Sequence, residues 1–193
     1  MKRGVAVFDF DRTLVRQETL ALFLRTIAGR RMWMDVAAAA AHAAFVPSQR
    51  RMEVFRAQLL RCVLAGRTLE QAQDAAEVLF CRLDWISQTC EALISHRQAG
   101  RRILVATGSL SIYMPILLNL KGLPVDALLS TEMCLEGNTI TGEVATPSCT
   151  WEEKARRVRQ WLTDVDGPVW GYGNLPHDGA MLALTDHPTV VPT

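Results

Sequence analysis

The chain has 193 residues, 49% of them hydrophobic and 21% charged. This suits one well-cored domain, or a compact domain carrying a small insertion, and excludes disordered and fibrous classes. A net charge of +1 gives no support for a nucleic-acid partner. Five widely spaced cysteines (Cys62, Cys81, Cys90, Cys134, Cys149), with no Cys-x-x-Cys pair, argue for reduced thiols and against a disulfide framework or structural zinc. Met1-Lys2-Arg3 resembles the basic start of a signal peptide, but the apolar run behind it ends at Asp9. A cytoplasmic protein is therefore expected.

Val5-Ala6-Val7-Phe8 reads as a buried strand covered on both faces. It runs into Asp9-Phe10-Asp11-Arg12-Thr13. Taken alone, that stretch is compatible with an ordinary polar strand end on which Thr13 caps a helix. In an open α/β sheet, however, carboxylates at a strand's carboxyl end face the ligand crevice. Helical spacing follows from Glu18 to Ala28 and ends at Gly29. Next come an apolar helix from Met32 to Val46, a third from Ser48 to Ala65, a fourth behind the capping-box spacing Thr68-Leu69-Glu70-Gln71, and a fifth capped by Asp84. The Met32–Val46 segment is shorter than the ~20 apolar residues of a spanning helix. It reads as a buried helix, with membrane-surface contact as the alternative.

Nine arginines between Arg16 and Arg67 face only Glu18, Asp35 and Glu53, a local charge of +6. Either they solvate helix faces or they meet an anionic partner.

Roughly 70 residues thus separate the first strand from the second, more than one crossover helix needs. The expected organisation is an α/β core of residues 1–14 and 85–193, with residues 15–84 forming a helical cap over the crevice. Arg102–Ala106 reads as the second strand, ending in Thr107-Gly108-Ser109 before an apolar helix from Leu110. Hydroxyls and free amides at such a helix start would make an anion site. A short strand at Ala127–Leu129 and a hairpin about Glu136-Gly137-Asn138 follow. Thr150-Trp151-Glu152-Glu153 has capping-box spacing and opens a helix whose first turn carries Lys154. A cation there opposes the helix dipole, so it either faces an anion or is satisfied by Glu152 and Glu153. The strand Pro168–Gly173 leads into Asn174-Leu175-Pro176-His177-Asp178. Gly171-x-Gly173 is no dinucleotide loop, because Pro176 holds the third glycine position. Thr189–Val191 closes the chain as a short strand.

Asp9/Asp11, Thr107, Lys154 and Asn174/Asp178, in that order, resemble the four motifs of the haloacid dehalogenase-like (HAD) hydrolase superfamily. The position of the cap resembles its phosphoserine-phosphatase-like branch, subfamily IB. The stretch Asp9–Thr19 is similar to the start of phosphoserine phosphatases. Phe23-Leu24-Arg25, the apolar Trp33–Val46 and Glu136-Gly137-Asn138 look more like phosphatidylglycerophosphatase-C-type members. The resemblance covers essentially the whole chain.

It implies a Rossmann-like parallel sheet and a magnesium-dependent phosphomonoesterase acting on a small anionic phosphorylated metabolite. Asp9 would be the nucleophile and Asp11 the acid and base. Thr107, Gly108, Ser109 and Lys154 would hold the phosphoryl group, and Glu18 would bind substrate. Asp9, Asp11, Asn174 and Asp178 would hold Mg2+. His177, His42 and Ser109 are further candidates for facing the substrate.

Two positions depart from the family pattern. Asn174 stands where aspartate is usual, which predicts weaker metal binding and more reliance on Asp178; Arg12 replaces a frequent glycine. A lipid phosphate phosphatase at a membrane surface and a non-catalytic phosphate-binding protein are the competing expectations. Dehalogenation is disfavoured, because halide departure does not require the proton donor Asp11.

Overall fold

A computed structural model describes residues 4–192; the Met1-Lys2-Arg3 start lies outside them. In chain order, strand β1 (Val5–Phe8) is followed by helices α1 (Thr19–Ala28), α2 (Met32–Ala44), α3 (Ser48–Leu64), α4 (Leu69–Phe80) and α5 (Ser87–Gln98). Then come β2 (Arg102–Leu110), α6 (Met114–Lys121), β3 (Ala127–Thr131), and the strands β4 (Met133–Glu136) and β5 (Thr139–Val144). Helix α7 (Trp151–Trp161), β6 (Val169–Gly173), the single turn α8 (Gly179–Leu182) and β7 (His187–Val190) complete the chain.

Five strands form one parallel sheet in the order β3-β2-β1-β6-β7, the Rossmann-like α/β architecture expected. Strand β1 lies in its middle and has no exposed residue, because its alternate side chains enter two different cores. Ala6 and Phe8 pack with Leu93 of α5 and with the helices that follow β1, while Val5 and Val7 meet Val158 of α7 and Met181 of α8. The chain leaves β1 towards β2 and β3, then returns to place β6 on β1's other side. The crevice at the carboxyl ends of β1 and β6 is therefore a topological switch point, where ligands bind in open α/β sheets.

Helices α1 to α4 hang from two adjacent crossings. Val15 bridges Trp85, the Arg16 amide donates to Asp84 O (2.9 Å), and the Ile86 amide donates to Leu14 O (2.9 Å). Asp84 is thereby used in the crossing, ion-paired to Arg16 at 3.1 Å, and α5 starts three residues later without the expected aspartate cap. The hairpin β4–β5 leaves the core and joins the inserted helices. Ile140 exchanges backbone hydrogen bonds with Gly66 and Arg67, and Thr68, whose capping box forms as expected, bridges Thr139.

Helix α2 departs from its sequence reading. It packs principally on α3 through an alanine stripe, with only Ala39 and Ala43 buried. Trp33 and Phe45 are 79% and 93% exposed, and Met34 and, on α3, Met52 are also outside. A helix that is apolar on most sides and rests mainly on one neighbour leaves most of its apolar surface uncovered. Among the described residues no helix is long and apolar enough to cross a membrane.

Candidate active site

Asp9 follows β1 directly, its amide held by Tyr172 O at 2.9 Å, and its buried carboxylate lies on the floor of a cavity of about 640 Å³. Lys154 Nζ donates to Asp9 Oδ1 and to Asp178 Oδ1, both at 2.6 Å. Thr13 Oγ1 donates to Asp9 Oδ2 (3.3 Å), so Thr13 steadies this carboxylate and caps no helix. Of the two readings of Lys154, the anion-facing one holds, since Glu153 is drawn instead to Arg156 and Arg157 (2.7 Å each). With that carboxylate drawn away and the Glu153 amide given to Thr150 O (3.1 Å), Thr150 has no side-chain cap bond and its capping box does not form.

Asp11 projects into the same cavity. Its Oδ1 accepts from the Thr19 amide (3.0 Å) and Thr19 Oγ1 (2.6 Å), and its Oδ2 accepts from Ser109 Oγ (3.0 Å). Burial raises the Asp11 carboxyl above the usual range despite these donors. It takes Asp9 up to about 7, the attraction of Lys154 being offset by the charges of Asp178 and Asp11. Burial acts to lower Lys154, but the two carboxylates more than reverse this and keep it protonated. The result is a protonated lysine on the same floor as two carboxyl groups, Asp9 and Asp11, that hold their protons unusually well, a state suited to moving protons near neutral pH.

Thr107, Gly108 and Ser109 line this cavity but do not begin a helix as expected. Strand β2 continues to Leu110, and the pairing from Ala106 to Leu110 spans four steps against two on β3, from Leu129 to Thr131. The surplus pushes Thr107–Ser109 out of the ladder into the crevice, the usual effect of a bulge beside a site. The Ser109 amide is then taken by Thr107 Oγ1 at 3.1 Å. A Cβ on Gly108 would stand 2.5 Å from Thr150 Cγ2, so only glycine lets the start of α7 approach.

Asp178 folds back over Gly173, where a Cβ would meet its own at 2.7 Å. Its Oδ2 accepts from the Asn174 amide (2.9 Å) and its Oδ1 from Lys154, so each carboxylate oxygen already has a partner. The Asn174 side chain is buried, with Nδ2 unpartnered. Turning that amide over would present an oxygen instead, in the cavity that Asp9 also lines, and hard oxygens of these two kinds suit Mg2+. Among the described residues no cluster of three or more His, Cys, Asp or Glu suits a metal.

Glu18 lines the cavity with its carboxylate paired to Arg12 at 2.6 Å. Arg12 adopts φ 59°, the left-handed region that glycine occupies freely. His177 and Ser109 line the cavity, whereas His42 lies exposed on α2, away from it. Three contributors escaped the sequence reading. Arg56 of α3 reaches across to Gly108 O (2.9 Å), with its Nε buried and unpartnered. Thr19 orients Asp11, and Trp151 stands at the rim. An arginine on the apolar row Met52–Phe55–Leu59 was the one available signal for Arg56.

The haloacid dehalogenase-like hydrolase family matches residues 6–183, nearly the whole chain. The protein belongs to this family. A comparison with curated proteins gives no match. Among solved structures, this HAD hydrolase resembles a protein with unknown function from Bordetella pertussis Tohama I at 18% identity and TM-score 0.73, over 98% of this chain and 90% of that one. A probable phosphoserine phosphatase from Vibrio cholerae, unliganded, aligns at 16% identity and TM-score 0.69, over 97% of this chain and 55% of its own. A phospho-aspartyl intermediate analogue of phosphoserine phosphatase aligns at 16% and 0.64, over 98% and 87%. At these identities the likeness is one of fold.

Proposed function

We propose that this HAD hydrolase is a phosphomonoesterase with Asp9 as nucleophile. The observation that carries this reading is the convergence of Asp9, Asp11 and Lys154 on one cavity floor at the switch point of the sheet. Asp9 Oδ2, free of Lys154, attacks phosphorus in line and forms an aspartyl-phosphate. Asp11, held by Thr19 and Ser109 and disposed to keep its proton, gives that proton to the departing alkoxide and then takes one from the hydrolytic water. Lys154 neutralises charge on the phosphoryl group and Asp9, while Thr107 and the pushed-out backbone beside it hold phosphoryl oxygens. Magnesium, when bound, supplies charge neutralisation at the phosphoryl oxygens, with Asp9, the Asp11 carbonyl and Asn174 as its holders. Asp178 acts mainly through Lys154. Helices α1 to α4, within residues 15–84, serve as the cap, and Arg56 fastens them to the core at Gly108. The substrate is a small phosphate ester, and the compartment is the cytoplasm.

Turnover of p-nitrophenyl phosphate tests this. Asp9→Asn is expected to lower kcat by roughly 10³-fold or more, as for loss of other nucleophiles. Wild-type turnover in that variant would sink the reading.

A second reading, a lipid phosphate phosphatase at a membrane surface, is favoured by one observation: Trp33 and Phe45 stand out in solvent near Arg30, Arg31, Arg50 and Arg51. Co-sedimentation with anionic liposomes at low salt, lost in Phe45→Ser, would support it, and no sedimentation would remove it.

A further inference from the structure

Above its phosphate-binding floor the cavity changes character. Trp151, the first residue of α7, adopts φ 49°, a left-handed conformation that is an outlier for a bulky side chain. This turns its indole onto His177, with ring centroids 4.5 Å apart and planes at 53°. Both rings line the cavity, and Trp151 stays 44% exposed. Into the same space α1 sends Leu24, and α3 sends Phe55 and Leu59, with the largely exposed Met52 at the rim.

The charged groups among these walls are engaged. Glu18 Oε1 pairs with Arg12, and Arg56 donates to Gly108 O. An ammonium group entering here would have to share Glu18 with a guanidinium, whereas a ring meets the apolar wall directly. The 640 Å³ volume falls within the ~300–1,000 Å³ of sites that enclose drug-sized ligands, far beyond a phosphoryl group and a few carbons.

Resting on the phosphatase reading above, we propose that the substrate's leaving group carries a planar, largely apolar ring, held between the Trp151–His177 pair and the apolar row of α3. Trp151 is then a specificity residue. Its π face supplies an attraction that an alkyl chain or a small polar group does not match.

The test uses full-length protein and four esters with alkoxide leaving groups, so that intrinsic reactivity is comparable: 2-(1-naphthyl)ethyl, octyl and ethyl phosphate, and phosphoserine. The naphthyl ester is expected to exceed ethyl phosphate in kcat/KM by on the order of 10-fold or more. Trp151→Ala should collapse that ratio, and Trp151→Phe should keep most of it. A fold defect would lower both esters together and leave the ratio standing. Equal kcat/KM for the naphthyl and ethyl esters, or preference for octyl phosphate or phosphoserine, overturns the ring proposal while the phosphatase reading survives. Calorimetry with 2-(1-naphthyl)ethylphosphonate and ethylphosphonate reads the same preference without chemistry. Ring-selective binding that depends on Trp151 supports the ring site even if no ester turns over, in which case the phosphatase reading falls alone. Absence of ring selectivity in binding overturns the proposal.

Discussion

Lys154 is 4% exposed and its ammonium is shared between two carboxylates that are themselves buried. Removing one partner of such a group leaves uncompensated buried charge, which costs about 3–5 kcal/mol. Lys154→Met is therefore expected to lower the unfolding free energy by about that amount in chemical denaturation and to abolish turnover. Asn174 makes the opposite case, a site residue that carries one negative charge fewer than aspartate. Since charge count tunes divalent affinity, Asn174→Asp is expected to tighten magnesium binding by about tenfold, measured by calorimetry. An unchanged affinity would remove Asn174 from the metal-holding set.

The site residues visible in the sequence were those whose chemistry clashes with their local setting: aspartates ending an apolar strand, and a lysine at a helix start. Arg56 was marked only by its place on the apolar row Met52–Phe55–Leu59; its contact with Gly108 joins segments 52 residues apart, which no local pattern reports.

Elements were legible where period and punctuation agree. Strand β1, the Thr68 capping box and the Gly29 stop of α1 follow from local pattern. The length of β2 does not, because its pushed-out segment arises from a mismatch with β3, which is a property of the pair. The solvation of α2 also escaped, since an alanine-rich apolar helix reads alike whether it has many neighbours or one.

The packing of β4–β5 onto the inserted helices depends on Gly142. It has φ 87°, and a Cβ there would lie 2.8 Å from the Arg61 backbone and 3.1 Å from Ala65 Cβ. Gly142→Ala is expected to cost more than Gly29→Ala, whose φ is 59° but whose Cβ would meet nothing within 4 Å. The latter, whose ψ of −131° lies outside the ordinary left-handed region, should lose about 1–3 kcal/mol from the conformation alone, and the former more, once the hairpin shifts; thermal melts of the two variants give the comparison.

At the scale of the molecule, two buried groups pull stability in opposite directions with pH. Asp9, raised to about 7 by burial, binds more protons folded than unfolded between about pH 4 and 7. Its contribution is full below the unfolded value and is lost as pH rises through about 7. His96, between Tyr172 and Arg101, is taken down to about 4 by burial and by the Arg101 charge. Its contribution is full above about 6.5 and is lost as pH falls towards 4. In metal-free protein the two slopes oppose each other across most of that window. Asp9→Asn is expected to uncover the histidine slope, so that its melting temperature climbs more steeply with pH than that of wild type. Scanning fluorimetry across that range checks it, and parallel profiles for the two proteins would contradict it.

The crossings at Leu14–Gln17 and Leu83–Ile86 are stitched to each other by main-chain bonds, and the Asp84 N–H donates to Gln17 Oε1 at 3.0 Å. Two tethers joined in this way behave as one ribbon, stiff against shear and twist and soft only to bending out of its plane. The helices over Asp9 are held at further points as well, by Arg56 on the Gly108 carbonyl and by the hairpin bonded to Gly66 and Arg67, so a substitution in any one attachment leaves the others to keep the two halves in register.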